Sequence, residues 1–177
     1  MIQTLHRTVA FVATAFVLAT TGAARAAPPE APQLSLRLVA PERFSDAGHG
    51  RRQPGADELE ALRQALEQAL QPLVQRSLQP GDQLTLELLD VDLAGELQPT
   101  RTGRELRVLR GATWPRLQLR YSLLRGGSVQ AQGEQQLSDL AYLDRRLAAA
   151  DASRYAFEAA LLRDWYQRTL QDARPPL

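Results

Sequence analysis

Asp90 and Asp92 stand one residue apart, and Glu96 follows four positions later, just past Gly95, in the stretch DVDLAGELQP. Carboxylates of this kind build oxygen-ligand sites for calcium or magnesium, and a cation so held can activate a water as a nucleophile. On an extended chain, residues two apart share a face, so the aspartates could share an ion and Glu96 could fold back to complete the site. A second set of partners competes. In PRLQLRY, Arg116, Gln118 and Arg120 alternate with Leu117, Leu119 and Tyr121, so a neighbouring strand would set arginines against the aspartates as cross-strand pairs. Two aspartates without a ligand-rich loop are a weak metal signature, and pairing is the expectation. Asp90, Asp92, Glu96, Arg116 and Arg120 are the candidate binding residues, with no metal assigned.

The strand that carries the aspartates has a defect in its alternation. In LTLELLDVDLAGE, Leu84, Leu86 and Leu88 share one parity, while Leu89, Val91 and Leu93 take the other. In regular geometry Asp90 and Asp92 would fall on the buried face, a costly place for unpaired charge. A bulge near Leu88 and Leu89 resolves the conflict: the leucines then all face the core and both aspartates face out.

The surrounding pattern supplies the other elements. Leu34–Ala40 alternates and predicts a first strand, stopped by Pro41; ERFSDAGHGRRQPG, residues 42–55, predicts an exposed loop pinned by Phe44. A helix capped by Asp57 follows, with Leu59, Leu62, Leu66, Ala69, Leu70, Leu73 and Val74 on one face and a kink at Pro72. After QPGD come a strand from Leu84, a loop around PTRTG, a short strand over 106–109, and a longer one over 116–124. RGGS, residues 125–128, predicts a tight hairpin turn, with a return strand over 129–137. A last helix, capped by Ser153 or Asp151, runs to Leu170 with Tyr155, Ala159, Leu161, Leu162, Trp165 and Tyr166 as its apolar stripe. The order predicts an α+β fold: a mainly antiparallel sheet of four to five strands with two packed helices.

Other chemistry-bearing residues read more plainly. His49, between glycines and beside Arg51 and Arg52, is expected to be solvated. Trp165 and Tyr166 read as core, and Arg145-Arg146 as a solvated turn. Every one of the 21 basic residues is an arginine and cysteine is absent, which excludes a lysine Schiff base, a cysteine nucleophile and a zinc–thiolate site.

At the start of the chain, His6 and Arg7, an uncharged run over 9–20 and Ala24-Arg25-Ala26 form the three parts of a secretory leader, with cleavage expected after Ala26. Residues 27–33 read as a proline-rich tether and 34–177 as one domain. The remaining 151 residues carry 19 arginines against 20 acids, a balance that argues against nucleic acid as a partner, and they hold no transmembrane segment.

Three blocks carry a resemblance: LTLELLDVDLAGELQP, VLRGATWPRLQLRYSLLRGGSVQAQGEQQLSDLAYL and SRYAFEAALLRDWYQ. Together, from about Leu34 onwards, they resemble the proteobacterial exported proteins grouped as domain-of-unknown-function family 3016. That resemblance implies a small envelope protein with a signal peptide, and brings no activity, cofactor or catalytic residue with it. The resulting expectation is a non-enzymatic periplasmic binding or accessory module, without a cofactor, whose partner is an envelope protein or a ligand. The alternative is a carboxylate-metal-dependent hydrolase or ion-binding protein using Asp90, Asp92 and Glu96.

Overall fold

The structure, a computed structural model, describes residues 30–49, 53–147 and 153–171. The leader, its cleavage point and Asp151 lie outside the described residues. Strand β1 (Gln33–Leu38) leads through helix α1 (Ala56–Ser77) to β2 (Gln83–Asp92). A short hairpin, β3 (Glu96–Pro99) and β4 (Glu105–Val108), precedes the long hairpin of β5 (Arg116–Arg125) and β6 (Ser128–Ser138), and helix α2 (Ala156–Tyr166) follows. The main sheet has the order β1-β2-β5-β6, and β3-β4 form a separate two-stranded sheet. This is the expected α+β class, with β3 as an additional strand. Only β1 and β2 run parallel, because α1 carries the chain back across the sheet between them.

Both helices cover one face. Leu62, Leu66, Leu70 and Val74 of α1, Leu161, Leu162, Trp165 and Tyr166 of α2, and Leu84, Leu86, Leu88, Val91, Leu117 and Leu119 of the sheet form one buried cluster. Trp165 packs edge-on against Tyr121, with ring centroids 5.3 Å apart, and donates its indole N–H to Gln135 at 2.7 Å. The helix ends are joined by the hydroxyls of Ser77 and Tyr166, 2.5 Å apart.

The other face is polar and ordered in rows. Arg37, Glu87, Arg120 and Glu134 lie opposite one another across all four strands, so charge alternates along the row. Arg120 reaches both neighbouring glutamates at 3.2 Å. Ser35, Thr85, Ser122 and Gln132 form the next row. Exposed pairs of this type contribute little each, but they keep the face wet and fix the register.

The bulge lies where alternation requires it. Leu88 faces Leu119 and Asp90 faces Gln118, leaving Leu89 without an opposite residue. Asp90 and Asp92 therefore share the outer face. Leu89 itself is only half-buried and stays out of the core cluster, which corrects the expectation that every leucine turns inward: an unpaired residue at a bulge follows neither face.

Several boundaries also differ. Gly55 occupies the N-cap of α1 without a side-chain bond, and Asp57 lies in the first turn, where its charge favours the helix dipole instead of capping. The helix continues through Pro72 to Ser77. Residues 30–32 are not a free tether: the Glu30 carbonyl accepts from Gly81 at 2.6 Å and the Pro32 carbonyl from Gln75 at 3.0 Å. Tyr155, not Ser153, occupies the N-cap of α2, although the Ser153 hydroxyl accepts the Tyr155 N–H at 3.3 Å. Past Tyr166 the helix widens into a π turn over Gln167–Gln171.

Because Leu89 is the one extra residue, its deletion restores regular alternation from Leu84 to Leu93. Deleting Val91 instead turns Asp92 inward. Chemical denaturation is expected to show the Leu89 deletion folded within about 2 kcal/mol of the parent, and the Val91 deletion unfolded, since it buries an unpaired carboxylate.

Candidate functional site

The five residues singled out in the sequence lie on the outer face or near it, each with its own partner. Asp90 accepts two bonds from Ser45, from the backbone N–H at 2.7 Å and from the hydroxyl at 2.8 Å, and so ties the 45–49 segment to β2. Asp92 faces Arg116 in register and takes a bidentate contact from it, Nε at 2.9 Å and Nη2 closer still. Glu96 pairs with Arg110 at 3.2 Å and accepts from Gln98 at 2.8 Å. Arg120 serves Glu87 and Glu134 and neither aspartate. Among the described residues, no three His, Asp or Glu side chains are grouped to hold a metal.

A different cluster forms where the short hairpin meets the start of α2. Asp46 forms a parallel bridge to Asp92, its N–H donating to the Val91 carbonyl at 3.0 Å and its carbonyl accepting from Leu93 at 2.8 Å. This places the 46–49 segment beside the end of β2. Arg107 comes in from β4, with its side chain only 7% exposed. Its Nη2 donates to Asp46 at 2.7 Å and to the Gly48 carbonyl, and its Nη1 to the Gly95 carbonyl at 2.9 Å. Gly95 adopts φ +83°, and a Cβ there would stand 2.6 Å from the Val108 carbonyl oxygen, so only glycine lets the β2–β3 turn sit this close to β4.

From the other side, the first turn of α2 sends Glu158 into the interior, where it is 1% exposed and accepts the Ala94 N–H at 2.7 Å. The Tyr155 hydroxyl donates to the Glu58 carbonyl at 3.1 Å, and its ring meets the His49 imidazole edge-on at 5.0 Å. The backbone N–H of His49 donates to the Glu58 carboxylate at 2.5 Å. His49 Nε2 is buried without a hydrogen-bond partner, and so is Arg107 Nε. The imidazole is therefore less solvated than its glycine-flanked loop suggested: His49 is half-buried, with the Tyr155 ring packed against it.

These groups line a cleft of about 380 Å³. Leu93, Ala94, Leu106, Leu109, Ala156 and Phe157 supply apolar wall; His49, Arg107 and Glu158 supply buried polar groups; Glu105, Ser153 and Arg154 complete the lining. Burial perturbs two of the lining groups and also Tyr155, which packs against His49. It pushes the His49 pKa down, assisted by the Arg107 charge, so the imidazole is neutral at pH 7. It pushes Glu158 up, against the pull of the Ala94 N–H and of Arg107. It pushes the Tyr155 phenol up to about 12, assisted by Glu58. Perturbed groups gathered in a cleft mark a candidate site, and 300–1,000 Å³ of mostly apolar wall with a few polar groups is the usual form of a small-ligand pocket.

Arg145, expected in a solvated turn, instead bridges Asp139 and Asp164, the latter at 2.7 Å, and so fastens the loop after β6 to α2. The Tyr142 hydroxyl both accepts from the Arg110 N–H at 2.9 Å and donates to the Arg110 carbonyl at 2.8 Å. Phe157 packs edge-on against Tyr142 at 4.9 Å, so one wall of the cleft is held through this loop.

The family model described as "Protein of unknown function (DUF3016)" matches residues 33–168. No curated protein matches the chain. Two solved structures are similar over most of its length. A minor lipoprotein from Acinetobacter baumannii is 15% identical, with a TM-score of 0.28, covering 80% of this chain and 89% of the other. A candidate lipoprotein from Caulobacter crescentus CB15 is 17% identical, with a TM-score of 0.22, covering 79% and 80%.

Two measurements follow from this geometry. Asp92→Ala is expected to lower stability by about 1 kcal/mol or less, because Arg116 is half exposed, and chelator should leave the loss unchanged; a chelator-sensitive loss would restore the ion site. Glu158 binds a proton more readily folded than unfolded, so its contribution is full below its ordinary value near 4.5 and is lost as pH rises through its folded value. Glu158→Gln can still accept the Ala94 N–H, and its melting temperature should exceed that of the parent at pH 8 and fall less between pH 5 and 8.

Proposed function

This chain belongs to the DUF3016 family of proteins of unknown function, and we propose that it is an exported binding or accessory module of the cell envelope that holds a small ligand in the cleft between the β3–β4 hairpin and α2. The observation that carries the binding reading is the pair of buried nitrogens, His49 Nε2 and Arg107 Nε, left without hydrogen-bond partners on residues that line that cleft. A buried donor without a partner costs about 1–3 kcal/mol, and a bound molecule offering an acceptor recovers part of that.

The chemistry of the cleft supports binding over turnover. The Ser153 hydroxyl accepts a backbone N–H, Glu158 is held by another, and neither is shown bonded to the imidazole of His49. The three carboxylates of the hydrolase alternative each have a different cationic or hydroxyl partner. Export rests on the leader of residues 1–26, and no helix among the described residues is long and apolar enough to cross a membrane. We infer the periplasm from that leader.

Two experiments test this reading. Mass spectrometry of the protein from a periplasmic extract is expected to find Ala27 as the first residue; an intact leader retained in the cytoplasm would remove export. Thermal melting with calcium, magnesium and manganese after chelator treatment is expected to show no shift, since a ligand bound only by the folded state raises its stability. A shift that Asp92→Ala abolishes would instead favour the hydrolase or ion-binding alternative.

A further inference from the structure

The cleft's contents also narrow its ligand. The inference rests on the reading of this cleft as a binding site and adds the chemical class of what enters it. Arg107 directs both of its terminal nitrogens to protein oxygens, so its Nε–H is the donor left over, and a guanidinium N–H can only donate. His49 Nε2 lies buried in the same lining and can donate in the tautomer that carries its proton there.

Charge separates the candidate ligands. Arg107 is matched by Asp46, and Arg154 and Glu105, also in the lining, carry opposite signs. Arg107 therefore already has its countercharge, and what its Nε–H lacks is an acceptor. A carboxylate or an ammonium entering the cleft would leave one charge uncompensated away from water, at a cost of several kcal/mol. An uncharged oxygen supplies the missing acceptor without that cost. The walls set the rest of the molecule: Leu93, Leu106, Leu109 and Phe157 favour an apolar body. Leu106 and Leu109 are 60% and 44% exposed, so part of this wall gives apolar surface to water until something covers it.

We propose that the cleft binds a small uncharged molecule with an apolar body and a carbonyl or hydroxyl oxygen that accepts from the Nε–H of Arg107 and from the imidazole of His49, enclosed by Leu93, Leu106, Leu109 and Phe157. Phosphates, carboxylates and amines fall outside this class, and so do pure hydrocarbons.

His49 is the only histidine after the leader, which makes its imidazole signal in protein labelled with ¹⁵N-histidine an unambiguous reporter. Residues 27–177 would be titrated at pH 7 with four probes on one ring: benzamide, benzoate, benzylamine and toluene. Benzamide is expected to shift the imidazole signal saturably, with an apparent Kd at least tenfold below those of the other three. Leu106→Arg, at a largely exposed position, should weaken benzamide at least fivefold while leaving the fold intact by circular dichroism. His49→Phe should remove the preference of benzamide over toluene, followed in uniformly ¹⁵N-labelled protein through the backbone amide signals of Leu106 and Phe157, which line the cleft. Tighter binding of benzoate or benzylamine would overturn the uncharged class but leave the binding reading standing. Equal binding of toluene would overturn the role of the oxygen. No saturable shift with any of the four would remove the binding reading itself.

Discussion

A guanidinium withdrawn from water needs acceptors on several sides, and the demands of Arg107 organise one end of this protein. Four oxygens are collected for it from two separate stretches: the Asp46 carboxylate and Gly48 carbonyl in one, and the Leu93 carbonyl at 3.5 Å and the Gly95 carbonyl in the other. Those stretches converge only if the 46–49 segment pairs beside the end of β2, the β2–β3 turn takes a left-handed glycine, and the short hairpin folds back over both. Asp90, reaching Ser45, fixes the entry to the same segment. The outer-face aspartate that first suggested a metal is therefore a support for a site on the other side of the strand.

The bulge at Leu89 makes that arrangement possible. It carries the change of parity midway along β2, so that Leu84 to Leu88 and then Val91 and Leu93 all enter the core while Asp90 and Asp92 remain outside. Without it, one half of the strand would conflict with the other. Asp82 shows the same economy at the opposite end. It is fully buried, accepts the Gln79 N–H at 2.9 Å, and takes a bidentate contact from Arg125 at 2.7 and 2.8 Å, joining the start of β2 to the end of β5. Breaking a pair of this kind leaves a buried charge uncompensated, which costs more than the pair contributes by forming.

Most of the fold was legible because its signals are local. The 3.6-residue spacing of α1, the alternation of β5, the Gly126-Gly127 turn and the parity conflict in β2 each point to what is observed. The cleft was not, for a physical reason that differs by residue. In β4 the buried and exposed positions run against hydropathy: Leu106 faces water while Arg107 turns inward, so a reading by apolar pattern assigns both to the wrong side. His49 packs against Tyr155, more than a hundred residues away in the chain, and nothing near it in sequence announces that ring. Glu158 left a signal. It lies three residues after Tyr155 and three and four before Leu161 and Leu162, on the apolar stripe of α2, and a carboxylate on such a stripe is either paired or perturbed. Arg120 does not meet an aspartate because parity fixes the face but not the row: the register sets Glu87 opposite it, two rows from Asp90.

The two faces of the molecule hold their polar groups under different constraints. On the open sheet face, acids and arginines meet across strands with water at hand, and their pairing satisfies them; nothing there is left short of a partner by burial. In the cleft, burial has removed water while two nitrogens remain without hydrogen-bond partners among the described residues, so the protein by itself has not completed the hydrogen bonding that its own fold demands. A structure stable enough to hold Arg107 and Glu158 out of solvent could have closed that gap with a side chain, as it did for Trp165 with Gln135 and for Asp82 with Arg125. That it closes the gap in those two places and not beside His49 sets this cleft apart from the structural pairs and makes it the place where a bound molecule would change the energetics most.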